Sequence, residues 1–270
     1  MDARTETAPI ATRHYGAVNW VGLRTLIERE ITRFVKVGAQ TVIAPMINAV
    51  LLIMVMKVWV GDRMWPDTNH AAIDGVAAGI VMMSILSNAF QNAASSIVIA
   101  KIQGNSVDFM MPPLSALELT IAFTIGAIAR GMLVGVASIV AMIPFADVLP
   151  MHWGAVLYYA IIASVIFGAI GLIGGIWSDK FDNIAAVTIF IVTPLTMLSG
   201  AFFSSDQLPE PLRTVSHWNP VFHLIDGFRY GFIGVHDAPL FTGAAVAALI
   251  GAALCWVAWA MFKSGYKMKA

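Results

Sequence analysis

Charge is scarce in this 270-residue chain: Asp, Glu, Lys and Arg supply 12% of its residues, whereas hydrophobic residues supply 59%. A water-soluble domain carries about twice that share of charge, so the composition excludes a soluble protein. The net charge is zero, which gives no reason to expect nucleic acid as a partner. The single cysteine, Cys255, lies in an apolar run. A disulfide framework and a cysteine metal site are therefore excluded.

Motifs for nucleotide and hydrolytic chemistry are also missing. The chain has no G-x-x-x-x-G-K-[ST] phosphate loop and no H-E-x-x-H metalloprotease motif. Ser199-Gly200 with a downstream histidine could suggest a six-span serine protease, but the G-x-S-G pattern of such enzymes is absent. His217, His223 and His236 match no standard metal spacing. We therefore expect no catalytic residue, metal or cofactor in this chain.

Long apolar runs dominate the sequence. Six of them are long enough to cross about 30 Å of hydrocarbon as helices. They cover residues 38–60, 75–99, 117–143, 154–176, 185–203 and 240–262. The first run exceeds the core of a signal peptide, so it fits a retained span. The sequence predicts an all-α integral membrane protein with six transmembrane helices.

Two segments precede the first span. Residues 1–16 form a polar tail. Residues 18–36 place apolar side chains such as Leu23, Leu26 and Phe34 at helical spacing among charged ones. This pattern predicts an amphipathic helix along the membrane surface, followed by spans that belong with it to one transmembrane domain, residues 17–270.

The positions of lysine and arginine predict the orientation. Six helices put both termini on one side of the membrane. That side holds Arg4, Arg13, Arg24, Arg29, Arg33, Lys36, Lys101, Lys180, Lys263, Lys267 and Lys269, and the other holds Lys57, Arg63, Arg213 and Arg229. Because cytoplasmic loops carry the excess of Lys and Arg, both termini are predicted to be cytoplasmic.

Polar side chains form a stripe within the second span. Ser84, Asn88, Gln91, Asn92 and Ser95 share one face of a helix. Amides do not face lipid cheaply, so the stripe faces either a neighbouring helix or a watery substrate route. The sequence leaves both alternatives open.

Arg130 lies near the middle of the third span. A cation at that depth costs a few kcal/mol or more unless it is paired or hydrated. Glu118 is about 18 Å away along the helix axis, too far for an intrahelical pair. We expect Arg130 either to pair with another helix, the alternative that the sequence favours, or to contact a substrate.

Two connecting segments stand out. Residues 101–115 end in Pro-Pro and carry Phe109, Met110 and Met111. Methionine suits an adaptable interface, so this loop is either a docking surface or an ordinary connector. Residues 204–236 are half apolar, aromatic and broken by prolines, which predicts a segment folded into the outer membrane interface.

The chain resembles the membrane subunits of bacterial ABC-2 type transporters. The motifs that carry the resemblance are Thr193-Pro-Leu-Thr-Met-Leu-Ser-Gly-Ala-Phe-Phe203, Leu208-Pro209 and His217-Trp-Asn-Pro-Val-Phe-His-Leu-Ile-Asp-Gly-Phe-Arg-Tyr-Gly231, with support from residues 92–105 and Ala129-Arg-Gly131. The resemblance extends over nearly the whole chain from about residue 20. Within the family it points to an inner-membrane permease subgroup.

This resemblance implies roles for the unusual segments. The helix at 18–36 would be the cytoplasmic interface helix, and residues 204–236 would be a re-entrant hairpin of short outer helices. The loop at 101–115 would include the coupling helix that seats in a separate ATPase subunit. The residues expected to couple are Lys101, Gln103, Asn105, Asp108 and Met110. The hairpin residues singled out are Trp218, Asn219, Pro220, Asp226 and Arg229.

The implied function is export across the bacterial inner membrane. Two copies would form the pore, with two ATPase subunits beneath them that hold ATP and Mg. Lipids, glycans, amphiphilic drugs and ions all remain possible substrates. The residues expected at the translocation route or in the bundle interior are Asn88, Gln91, Asn92, Ser95 and Arg130.

Two alternatives come from other classes. A secondary transporter driven by an ion gradient would need carboxylates at mid-membrane, but Asp74 and Glu118 lie near the ends of their spans. A membrane-embedded enzyme would need a nucleophile and a base, and no such pair is evident.

Overall fold

The computed structural model describes residues 18–66, 69–105, 113–203 and 209–267. Nine helices occupy these ranges: α1 (Trp20–Lys36), α2 (Ala39–Val60), α3 (Ala72–Ile102), α4 (Ala116–Met142), α5 (Trp153–Trp177), α6 (Phe181–Met197), α7 (Glu210–Trp218), α8 (Pro220–Ile233) and α9 (Leu240–Ser264). The predicted polar tail at 1–16 lies outside the described residues, as do Asp108 and Met110. The all-α fold class is confirmed for the part of the chain that is described.

Five of these helices are long and apolar enough to cross a membrane: α2, α3, α4, α5 and α9. Each begins and ends within three residues of the run that predicted it. The most apolar stretches of α2 and α9 are only 17% and 22% buried inside the protein. Such exposed apolar helices fit a lipid environment or contact with another protein.

The predicted span at residues 185–203 is placed differently. Its helix, α6, begins at Phe181, contains a π-helical turn at Thr188–Val192 and ends at Met197. The chain then turns at Gly200, whose φ of 71° lies in the left-handed region. Ser199 and Ala201 are fully buried. The helix thus ends six residues before the predicted boundary at residue 203, and it is shorter than the helices counted as candidate spans.

Helix α3 is the centre of the bundle, with 83% of its most apolar stretch buried. Two glycines of α5 let that helix approach α3 closely. A Cβ added at Gly171 would lie 2.4 Å from the main-chain oxygen of Phe90, and one at Gly175 would lie 3.1 Å from that of Ala94. Small residues at helix crossings are how apolar helices gain dispersion contacts within a membrane.

The amphipathic helix predicted at 18–36 is confirmed as α1. Asn19 caps it, since its side-chain oxygen accepts a hydrogen bond from the backbone N–H of Gly22 at 3.0 Å. Its buried face, Leu23, Leu26, Glu30 and Phe34, turns toward α3 and α4. A buried glutamate on that face shows that α1 makes polar contacts within the bundle as well as apolar ones.

Candidate functional site

The polar stripe of α3 divides into two groups with different surroundings. Asn92 and Ser95 bind the guanidinium of Arg33 from α1. Asn88 and Gln91 line a groove between α2, α3 and α4. Asn92 and Ser95 thus make contacts between helices, whereas Asn88 and Gln91 face the groove.

Helix α1 is fixed to α3 by a cluster of polar side chains. The Arg33 guanidinium donates to the main-chain oxygen of Asn92 at 2.8 Å, to its side-chain oxygen at 3.0 Å and to the Ser95 hydroxyl at 3.1 Å. It also donates to Glu30 at 3.1 Å, and the Ser96 hydroxyl donates to the other Glu30 oxygen at 2.7 Å. Glu30 is 1% exposed. Arg33 and Ser96 thus supply a donor to each oxygen of this buried carboxyl group.

The groove beside this cluster has a volume of about 460 Å³. Its polar lining residues are Gln40, Asn48, Ser84, Ser87, Asn88, Gln91 and Arg130. Gln40, Asn48 and Gln91 are exposed at the surface of the single chain, although Asn48 and Gln91 lie well inside membrane-length helices. An amide at that depth needs a partner other than lipid, so this face of the chain meets either another protein surface or water.

Arg130 brings positive charge into the groove. Its Nε is buried and makes no hydrogen bond, and no carboxylate of the described ranges forms an ion pair with Arg130. The favoured prediction, a structural pair with another helix, is therefore not found among those residues. The positive charge of Arg33 repels that of Arg130. Among the described residues, Arg130 thus lines a polar groove without a counter-ion.

The loop residues predicted for coupling are placed in part. Gln103 and Asn105 are exposed at the end of α3. Lys101 instead points back into the chain, where its ammonium group donates to the main-chain oxygens of Ile176 at 2.9 Å and Ser178 at 2.7 Å. Lys101 thus caps the C-terminal end of α5, a position that favours a cation.

Asp179 joins Lys101 to the C-terminal segment. Its two carboxylate oxygens accept hydrogen bonds from Lys267 at 3.1 Å and from Lys101 at 3.2 Å. We call Lys101, Asp179 and Lys267 the lysine clasp. The hydrogen bonds from Lys267 and Lys101 hold the pKa of Asp179 below its usual value. The clasp ties the last turn of α3 to the segments that follow α5 and α9.

A second contact between distant segments lies at the other end of the 101–115 loop. Glu118 accepts from the backbone N–H groups of Ser115 at 2.6 Å and Asn19 at 2.5 Å. The first bond belongs to a capping box that starts α4, and the second fastens the start of α1, 99 residues away in sequence. The Ser-x-x-Glu spacing could have identified the cap. The contact with α1 carries no local sequence signal.

The segment predicted as an outer hairpin contains two short helices, α7 and α8. Asn219 stands between them, accepts from Val221 N–H at 3.0 Å and donates to the Leu195 oxygen of α6 at 2.7 Å. Pro220 occupies the first turn of α8, where its missing N–H costs nothing. Trp218 is 85% exposed.

A buried charge pair anchors α8. The Arg229 guanidinium lies 4.3 Å from the centre of the Trp65 ring, donates to the main-chain oxygen of Gly200 and lies 4.0 Å from Asp226. Asp226 accepts from the backbone N–H groups of Asp237 and Ala238 at 2.8 and 3.0 Å. The pair therefore joins α8 to the α2–α3 connection, to the end of α6 and to the start of α9.

The protease alternative gains no geometric support. Ser199 is fully buried, and its hydroxyl donates to the main-chain oxygen of Thr196. His223 contacts the main-chain oxygen of His217 at 3.0 Å through Nε2. Within the described ranges no histidine hydrogen-bonds Ser199, so this serine has no base.

A bundle of membrane-length helices with amides and Arg130 on a polar internal face fits an integral membrane transport protein. Sequence comparison agrees. The family model described as ABC-2 type transporter matches residues 21–233. The chain belongs to this family.

The relatives are consistent with that assignment. The chain is 32% identical over 246 residues to the inner membrane transport permease YadH of Escherichia coli K12, covering 91% of this chain and 96% of the relative. It is 28% identical over 103 residues to nodulation protein J of Rhizobium leguminosarum bv. viciae, covering 37% of this chain and 38% of that protein. The resemblance seen in the sequence is confirmed, and the chain is a membrane subunit of a transporter.

Proposed function

We propose that this chain is the permease subunit of an exporter, powered by ATP hydrolysis on a separate ATPase chain that holds ATP and Mg. The observation that carries the proposal is the groove between α2, α3 and α4. It keeps amides and Arg130 at mid-membrane on a face that one copy alone leaves open. Lipid is a poor solvent for such a face, whereas a translocation route needs one.

The same face supports a pair of copies. Exposed Asn48 of α2 and Gln91 of α3 would be satisfied by water in a route between two subunits or by direct contact across the interface. We therefore propose a homodimer in the lipid bilayer of the bacterial inner membrane. Residues 17–270 would form its single transmembrane domain.

The membrane topology is proposed as six spans with both termini in the cytoplasm. Helix α6 would serve as the fifth span together with the buried turn that follows it, and α7 and α8 would form the re-entrant outer hairpin. The aromatic character of that segment, with Trp218 almost fully exposed, suits the membrane interface.

A path for mechanical coupling supports the ATPase partner. A push on the 101–115 loop would reach α5 and α9 through Lys101 and the lysine clasp. It would reach α1 through Glu118, and then the stripe of α3 through Arg33. Such a connected set of rigid elements can link nucleotide state to the groove if it has two arrangements. Gln103, Asn105, Asp108 and Met110 are proposed to meet the ATPase.

Copurification tests the proposal. The tagged protein is isolated in detergent from its native membrane, and its partners are identified by mass spectrometry with an ATPase assay. We expect a stoichiometric chain carrying a phosphate loop, lost when Met110 and Asp108 are replaced by alanine. Replacement of exposed Arg29 on α1 by methionine is the control for general loss of charge.

The ion-driven alternative predicts a different result. No ATPase would copurify, and reconstituted vesicles would lose a proton or sodium gradient on addition of substrate. Asp74 and Glu118 lie at helix ends and accept backbone hydrogen bonds, and Glu30, buried against α3, is already paired with Arg33. These positions disfavour a carboxylate relay through the middle.

A further inference from the structure

The charge balance of the groove indicates the kind of ligand it takes. Of the residues that line it, Arg130 alone is charged, and none is acidic. A cation in a site of low dielectric attracts an anion far more strongly than it would in water. An anionic ligand would therefore be favoured in this groove over a cationic one.

The described residues offer no carboxylate that pairs with Arg130. Glu30 is the acid of α1 that is buried against α3, and its oxygens already accept from Ser96 and Arg33. Both oxygens of Asn92 are taken by Arg33 as well. The buried Nε of Arg130 remains without an acceptor, and buried donors are rarely left so.

Neutral amides line the same groove as Arg130. Asn88 donates to the main-chain oxygen of Ser84 at 3.0 Å, which uses one of its two amide hydrogens. The side chains of Gln40, Asn48 and Gln91 make no hydrogen bond within the described part of the chain. These amides can supply N–H groups to the oxygens of an anion, in addition to the guanidinium of Arg130.

The groove is polar at one end and apolar at the other. Along α3 the lining changes from Gln91, Asn88 and Ser84 to Met83 and Ile80, and along α2 it changes from Gln40 and Asn48 to Leu52. The volume of about 460 Å³ falls within the range of small-ligand sites. A ligand that fills both ends has an oxyanion at Arg130 and an apolar chain along Leu52 and Ile80.

We propose that the groove binds the oxyanion headgroup of an amphiphile, with Arg130 as the principal contact and Gln91 as a hydrogen-bond donor. The proposal deepens the proposed function, since it gives the substrate class of the same route. It concerns binding, however, and holds or fails whether or not an ATPase partner is found. The shared chemistry is a phosphate or carboxylate on an apolar tail, from either a bilayer lipid or an exported molecule.

Native mass spectrometry of the full chain in neutral detergent tests this proposal. The probes are dioleoyl phosphatidic acid, dioleoyl phosphatidylcholine, dodecyl phosphate and inorganic phosphate, each added at equal concentration. We expect phosphatidic acid and dodecyl phosphate to be retained at least 10-fold more than phosphatidylcholine. We expect Arg130→Met to reduce that retention at least 10-fold, Arg130→Lys less, and Arg29→Met not at all.

Further variants keep the test decisive if Arg130→Met fails to fold. Gln91→Leu changes an exposed residue, and we expect it to lower retention of dodecyl phosphate about 3-fold at an unchanged melting temperature. Equal retention by the wild type and by folded Arg130 variants would overturn the proposal, as would equal binding of phosphatidylcholine. If inorganic phosphate bound as tightly as dodecyl phosphate, the apolar tail would add no affinity. The groove would then be a site for a free oxyanion, and the proposal of an amphiphilic ligand would be overturned. Retention of phosphatidic acid without dodecyl phosphate would assign the site to a bilayer lipid.

Discussion

Arg33 and Asn92 are hydrogen-bonded through both oxygens of the asparagine, at 2.8 Å to the main chain and 3.0 Å to the side chain. Asn92 lies ten residues from the end of α3, about 15 Å along the helix. The C-terminal half of α1 is thus held against the bundle well above the end of α3. A helix predicted to rest on the membrane surface is in direct contact with the polar stripe of the second span.

Loss of the Glu30 carboxylate should destabilise the contact between α1 and α3. In Glu30→Ala, Arg33 and Ser96 each lose an acceptor inside the protein, and a buried pair broken on one side costs about 3 kcal/mol. The expected result is a clearly lower apparent melting temperature in detergent. Glu28→Ala is the matched control, because Glu28 pairs with Arg24 at the surface. Equal losses in the two variants would show that the cluster does not stabilise the fold.

A methyl group at Gly79 should separate α3 from the turn after α6. A Cβ there would lie 2.1 Å from the main-chain oxygen of Ala201, and a backbone atom cannot move aside as a side chain can. We expect Gly79→Ala to cost about 1–3 kcal/mol, measured as a lower melting temperature and a lower folded yield. Gly154→Ala serves as the control, because a Cβ at Gly154 meets nothing within 4 Å. An unchanged Gly79→Ala protein would contradict this packing.

The lysine clasp should respond to acid. Lys267 and Lys101 hold the pKa of Asp179 below its usual value, which is about 3.9 in an unfolded chain. A carboxylate with a lowered folded-state pKa adds stability above that unfolded value, and the stability is lost as pH falls through the folded-state pKa. The carboxyl ¹³C resonance of Asp179 should therefore titrate below pH 3.9.

Two lysine substitutions, one in α9 and one just after it, distinguish an effect of the clasp from a general effect of charge on the pKa of Asp179. Lys267→Gln should raise the titration midpoint of Asp179 toward the usual value, because one of its two lysine donors is gone. Lys263→Gln removes the same charge from a lysine that lies over the Trp259 ring, 4.8 Å from its centre. It should leave the midpoint in place. Equal shifts in both variants would mean that the clasp is absent in solution.

Arg229 should be indispensable for the position of α8. Arg229→Met leaves the buried Asp226 carboxylate without its cation and the Gly200 oxygen without its donor, a loss of about 3 kcal/mol or more. We expect a lower melting temperature and faster proteolysis near residues 200–240. Arg229→Lys should rescue only in part, since an ammonium lacks the planar surface that stacks on Trp65.

Arg29, an exposed arginine of α1, is the control for Arg229. Arg29→Met should leave both the melting temperature and the proteolysis pattern unchanged. If Arg229→Met were as stable as Arg29→Met, the buried pair would have no part in anchoring the hairpin.

Local patterns in the sequence determined the helices. Apolar runs gave α2, α3, α4, α5 and α9 to within three residues, because length and hydropathy are properties of a single segment. The two short helices α7 and α8 were expected only from the family resemblance, which placed a pair of outer helices at residues 204–236. The amphipathic spacing of 18–36 gave α1. The same local reasoning placed Asn88, Gln91, Asn92 and Ser95 on one face of a helix.

Tertiary structure decided what those residues meet. Arg33 lies 59 residues from Asn92, and Glu118 lies 99 residues from Asn19, so no window of sequence contains either pair. The division of the α3 stripe, the inward turn of Lys101 and the absence of a described counter-ion at Arg130 all depend on how helices pack. Hydropathy records how apolar a segment is, but it does not record whether that segment faces lipid or protein, which is why the end of α6 was misplaced. The sequence alone set the helices and the family, and packing set the groove.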